Sequence, residues 1–158
     1  MNTMQEWFDR YGESHLNPIN KAFHWICVPV IFVSIIGLLS QVPMPWQARD
    51  TGVFPYLHLG TFLILAGLVF YLRISISMSI GMLIVSALSL YIVKRLNLDF
   101  VDIALWIYFI AFVAAWIGQF IGHKIEGKKP SFFDDLKFLM IGPAWLLGFI
   151  YRKLGLRY

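Results

Sequence analysis

The sequence predicts an all-α integral membrane protein: four transmembrane helices, an N-terminal interfacial amphipathic helix and a C-terminal re-entrant or interfacial helix. Three observations carry this expectation. Of the 158 residues, 59% are hydrophobic and 14% charged, against about 45–50% and about 25% in soluble domains. The charges are clustered, leaving uncharged runs at 22–48, 51–72, 74–93 and 103–123, each long enough for the roughly 20 helical residues that cross a hydrocarbon core. A fifth run, 138–151, has only 14 residues and as a helix reaches about 21 Å, short of the roughly 30 Å of a hydrocarbon core.

Each element follows in chain order. Residues 3–14 place Met4, Trp7, Phe8 and Tyr11 on one helical side and Gln5, Glu6, Asp9 and Arg10 on the other, the pattern of an interfacial helix. Asn17 followed by Pro18 reads as an N-cap with proline in the first helical position, opening a span over about 19–40 with His24 two turns inside. The stretch QVPMPWQARDTGVFP, with three prolines, is a loop. Spans over about 56–72 and 75–93 are joined by a tight turn near Arg73, and residues 94–102 form a polar connection into the fourth span, about 103–123. Gly127, Lys128, Lys129 and Pro130 end that helix, as glycine, lysine and proline commonly do. Asp134 and Asp135 open the last segment, 134–153, which Gly142 and Pro143 interrupt. The whole of 1–158 reads as one membrane domain, and its acidic, aromatic start is unlike a cleavable signal peptide.

Loop charges set the topology. If segment 134–153 crosses, the two faces carry 7 and 6 basic residues; if it re-enters, the split is 10 to 3. Lysine and arginine accumulate on the cytoplasmic side, so the second arrangement is expected, with four spans and both termini cytoplasmic. The same composition argues against a soluble multidomain enzyme, a disulfide scaffold and a nucleic-acid module. Cys27 is the lone cysteine, and a net charge of +4 spread over loops and termini suits anionic lipid headgroups. Nothing in the pattern fixes an oligomeric state.

The residues able to carry chemistry are few. Of the four histidines, crossing parity puts His15, His24 and His123 on one face and His58 on the other. Neutral imidazole suits iron, zinc, copper or nickel. Asn20 stands one turn before His24 and Gln119 one turn before His123; polar pairs near hydrocarbon are costly, so they point either to a supported metal site or to interhelical hydrogen bonding. Glu126, three residues beyond His123, could complete a ligand pair or orient a histidine, or be an ordinary solvated charge. Lys128 and Lys129 could draw a carboxylate to the interface or serve only to retain that face inside. Trp25, Trp116 and Trp145 could line an acyl channel. Four histidines are too few for the several histidine clusters of membrane di-iron desaturases, and neither a nucleophile elbow nor an H-E-x-x-H helix is present.

Two stretches then carry a resemblance. H-L-N-P-I-N-K-A-F-H over 15–24 and Q-F-I-G-H-K-I-E-G-K-K-P over 119–130 resemble the signatures of the 2-hydroxy fatty acid dioxygenase family, membrane proteins of phytosphingosine breakdown with bacterial relatives. The similarity runs along nearly the whole chain, including Ile141, Gly142 and Pro143. The resemblance implies Fe(II)-dependent α-oxidation of a 2-hydroxy fatty acid by O2 to an acid one carbon shorter. It also implies iron on His15, His24 and His123, supporting roles for Asn17, Asn20, Gln119 and Glu126, substrate attraction by Lys128 and Lys129, and a bacterial inner membrane with the site on its cytoplasmic face. The rival reading is a non-catalytic membrane protein whose histidines form a structural or regulatory metal site. A small transporter ranks behind both, since only the last segment looks like the discontinuous helices such folds use.

Overall fold

The computed structural model describes residues 3–46, 56–127 and 140–158. Among them are six helices and no strand: α1 (Met4–Gly12), α2 (Pro18–Ser40), α3 (Leu59–Leu72), α4 (Ile76–Asp99), α5 (Ala104–Glu126) and α6 (Ile141–Lys153). Helices α2, α4 and α5 are long and apolar enough to cross a membrane, and α3 is an apolar helix of 14 residues. Lys128, Lys129, Pro130, Asp134 and Asp135 lie outside the described residues.

Local signals explain the helix starts. Thr3 and Glu6 form a reciprocal capping box on α1. The Asn17 side chain accepts from the Ile19 N–H at 2.9 Å, with Pro18 in the first turn of α2, so two of the N–H groups a helix start leaves unpaired are dealt with. Ser75 caps α4 by accepting from the Met78 N–H. Helix α5 stops at Gly127, whose φ of 75° is a left-handed conformation that glycine adopts without steric cost.

Two elements differ from expectation. Helix α4 does not end before Lys94 but runs on to Asp99. Arg95 and Asp99 pair at 3.0 Å one turn apart, and Asn97 turns into the bundle, where its Oδ1 accepts from Gln41 Nε2 and Tyr108 Oη, each at 2.9 Å. Its Nδ2 donates to Ser40 Oγ at 3.0 Å. This polar knot ties the far ends of α2, α4 and α5 together. The apolar face of α1, in turn, is covered by protein: Met4, Phe8 and Tyr11 are buried in one core cluster with Ala144, Trp145 and Tyr151 of α6.

The α2–α5 pair is the most extensive helix contact, and small residues make it close. A Cβ added at Gly118 would stand 2.6 Å from Cys27 Sγ, and one at Gly122 would stand 2.5 Å from Asn20 Oδ1. Glycines four apart on one helix let backbones approach in this way. Helix α6 is held at the same end of the bundle: Tyr71 Oη donates to the Met140 carbonyl, and Tyr151 Oη donates to the Ser77 carbonyl at 2.7 Å.

Candidate metal centre

Three helix ends bring the histidines together. His15 lies in the turn after α1, His24 on the second turn of α2 and His123 on the last turn of α5. They are 3%, 1% and 4% exposed, and each offers a nitrogen within 4.8 Å of the others'. His58 is buried too, but at the start of α3. There a Cβ on Gly60 would touch both its ring and the Ile36 carbonyl, and Ile36 lies about 18 Å along α2 from His24.

The hydrogen bonds settle which nitrogens face inward. His15 Nδ1 donates to the Tyr11 carbonyl at 2.5 Å and His24 Nδ1 donates to the Asn20 carbonyl at 2.9 Å. A carbonyl oxygen only accepts, so each Nδ1 carries a proton. In neutral rings both Nε2 atoms then present lone pairs, yet they face one another at 2.7 Å. Two lone pairs at that distance repel unless a cation lies between them, either a metal ion or a proton that makes one ring imidazolium. Two imidazoles bound at right angles to one ion, at about 2.0–2.1 Å each, stand about 3 Å apart, so the pair fits a metal. The carbonyl on each Nδ1 is the usual support of a ligating histidine.

Glu126 braces this arrangement from outside. Its Oε1 accepts from the N–H of Leu16 at 2.9 Å and its Oε2 accepts from the N–H of Asn17 at 2.9 Å and from Asn20 Nδ2 at 3.0 Å. The carboxylate therefore ties the end of α5 to the turn that carries His15 and to the residue one turn before His24. Asn20 is fully buried and also donates to the Ser14 carbonyl at 3.0 Å. Gln119 is buried one turn before His123. The Asn17 side chain acts locally, as the cap of α2, while its N–H holds Glu126.

Several contributors were not singled out from sequence. The Tyr11 ring stacks on His15 with centroids 4.3 Å apart and planes 11° apart; the spacing of four residues was its only signal. Of the three tryptophans that the sequence did single out, Trp145 stands 5.3 Å from the His15 ring, Trp25 lines an apolar cavity between α2, α4 and α6, and Trp116 packs with Cys27 and Ile31. Gly118 and Gly122 were visible as a G-x-x-x-G run. Beside His15 opens a cavity of about 370 Å³ lined by the cations Lys21 and Arg152, the acids Asp9 and Glu13, and Trp145.

Long apolar helices closing on a buried histidine trio define a class: a membrane-type helical bundle with a candidate metal centre. The chain belongs to the family described as 2-hydroxy-palmitic acid dioxygenase Mpo1-like, whose model matches residues 1–154. No curated protein and no solved structure matches.

Proposed function

We propose that the protein is a non-haem Fe(II)-dependent dioxygenase that converts 2-hydroxy fatty acids, with O2, into fatty acids one carbon shorter. The observation that carries this is the meeting of two Nδ1-protonated histidines, nitrogen to nitrogen, beside a third in a family named for this reaction. His15, His24 and His123 would hold the iron. Asn20, Glu126, Gln119 and Asn17 would keep those rings and their backbone in place, and Lys128 and Lys129 would draw the substrate carboxylate to the membrane surface. The metal supplies open coordination positions at which substrate and O2 are brought together. A 2-hydroxy acid plus O2 balances to the shortened acid, CO2 and water, so no further reductant is needed. Topologically, α2, α4 and α5 cross a bacterial inner membrane and the shorter α3, 14 residues long, returns the chain between α2 and α4, a short crossing that a bilayer meets by local thinning; both termini, α1, α6 and the site lie on the cytoplasmic face, and 1–158 forms one domain.

Metal analysis of the purified protein combined with oxygen uptake on a panel of 2-hydroxy acids tests this reading. Bound iron and Fe(II)-dependent uptake are expected, abolished in His123→Ala and retained in His58→Ala. Iron-free protein that consumes no O2 with added Fe(II) would refute it. Exchange-inert, stoichiometric zinc would instead assign the histidines to a structural or regulatory site.

A further inference from the structure

An apolar cavity of about 270 Å³ lies between α2, α4 and α6, with Trp25 and Val33 on one wall, Val85 and Leu88 on another, and Leu146 of α6 closing it. Its one side-chain hydroxyl, on Ser89, donates to the Val85 carbonyl at 2.8 Å. Along α2 the distance from Trp25 to Val33 is about 12 Å, running from beside His24 toward the middle of the bundle.

One side chain joins this cavity to the opening beside His15. The half-buried ring of Phe149 meets Trp145, which lines that opening, edge-on at 4.7 Å. It also meets Trp25, which lines the apolar cavity, at 6.0 Å. Above the same ring, 4.6 Å from its centroid, lies the guanidinium of Arg152. Arg152 is held there by a hydrogen bond to Tyr158 Oη at 2.9 Å, which in turn donates to Gln5 Oε1 at 3.2 Å. A fixed cation thus sits where a polar opening passes into an apolar one.

We propose that the two cavities are one binding site for a long-chain carboxylate. The carboxylate rests near Arg152 beside His15, and the acyl chain crosses Phe149 into the α2–α4–α6 groove. This rests on reading the histidine site as one that acts on a 2-hydroxy acid, and adds where the chain lies and what measures it. An acyl chain is the occupant that fits, because the groove is apolar, lies on two helices able to cross a membrane, and adjoins the Phe149 ring over which the Arg152 cation lies. Ile92, which lines the groove at the end nearest the Asn97–Ser40 knot, sets how many methylenes are gripped.

The test uses the full chain in detergent micelles or nanodiscs. Ile92→Trp should lower the ratio of kcat/KM for a 16-carbon to an 8-carbon 2-hydroxy acid about tenfold, the loss expected when roughly two methylenes leave the groove. A variant that merely folds badly would lower both without changing their ratio. Arg152→Gln should reduce the preference for binding palmitate over the alcohol of the same length about tenfold, as for a lost charged hydrogen bond. Binding is read without turnover, so palmitate that binds in this way to a protein that consumes no O2 would sink the dioxygenase reading and leave the groove standing. Intact oxygen uptake with an unchanged chain-length ratio in Ile92→Trp would overturn the groove. So would a phospholipid retained there that 2-hydroxy acids do not displace.

Discussion

Replacing Gly122 with alanine asks whether the close α2–α5 contact is what assembles the histidines. The new Cβ would stand 2.5 Å from Asn20 Oδ1 and 3.3 Å from Phe23 Cβ. Carbon and oxygen normally meet at about 3.3–3.6 Å, so the helices must part by about 0.8–1.1 Å or Asn20 must turn away. Turning is resisted: Asn20 is fully buried and its amide nitrogen is held at 3.0 Å by both Glu126 and the Ser14 carbonyl. Overpacking of this kind costs about 1–3 kcal/mol. The displacement falls on the ligand set, because His123 follows Gly122 directly and His24 lies one turn beyond Asn20. Ligands have to be held to within about 0.5 Å, so iron affinity should fall roughly 10–100-fold. Thermal unfolding and Fe(II) titration of the detergent-solubilised protein measure both effects. Gly12→Ala is the control, since its Cβ would meet Trp145 Nε1 at an ordinary 3.9 Å and should leave both near wild type. A Gly122→Ala protein with unaltered melting and iron affinity would refute the idea that this contact positions the site.

The same geometry yields further expectations. Glu126→Gln turns an amide donor toward N–H groups that now share a carboxylate, with hydrogen bonds to charge worth about 1.5–3 kcal/mol. Iron affinity, measured against a competing chelator, should drop at least tenfold with helix content unchanged by circular dichroism. Asn97→Ala strips partners from Ser40, Gln41 and Tyr108 at the far end of the bundle and should cost about 1–3 kcal/mol in unfolding experiments, while iron content stays at the wild-type level.

How much of this was legible depended on how local the cause was. The start of α2 was readable at Asn17 and Pro18 because a cap needs only its next few residues. The long apolar helices were readable because hydropathy accumulates along the chain. Crossing parity was enough to group His15, His24 and His123 apart from His58. The extension of α4 to Asp99 was not readable: what draws Asn97 inward are Ser40 and Gln41, 57 and 56 residues away. The partner of α1 was hidden for the same reason, since an amphipathic pattern says that a face is covered but not whether lipid or α6 covers it. Glu126 was ambiguous because its choice between histidine and backbone depends on Leu16 and Asn17, more than 100 residues earlier.

The commitment of Glu126 bears on what the site can bind. The common non-haem iron arrangement uses two histidines and one carboxylate, and so carries an anion in the protein. Here the Glu126 carboxylate is turned to the N–H groups at the start of α2, where free donors and the positive end of the helix dipole favour it. Three neutral imidazoles leave the charge of a divalent cation uncompensated in a buried setting, where isolated charge is costly. An anionic ligand would relieve that cost, and Arg152 and Lys21 line the opening through which one would approach His15. A 2-hydroxy acid brings its own carboxylate, whereas a 2-hydroxy alcohol or aldehyde does not. Under the proposed dioxygenase reading, selectivity for acids would come from the use of Glu126 as a brace, with the substrate completing the charge balance of the site.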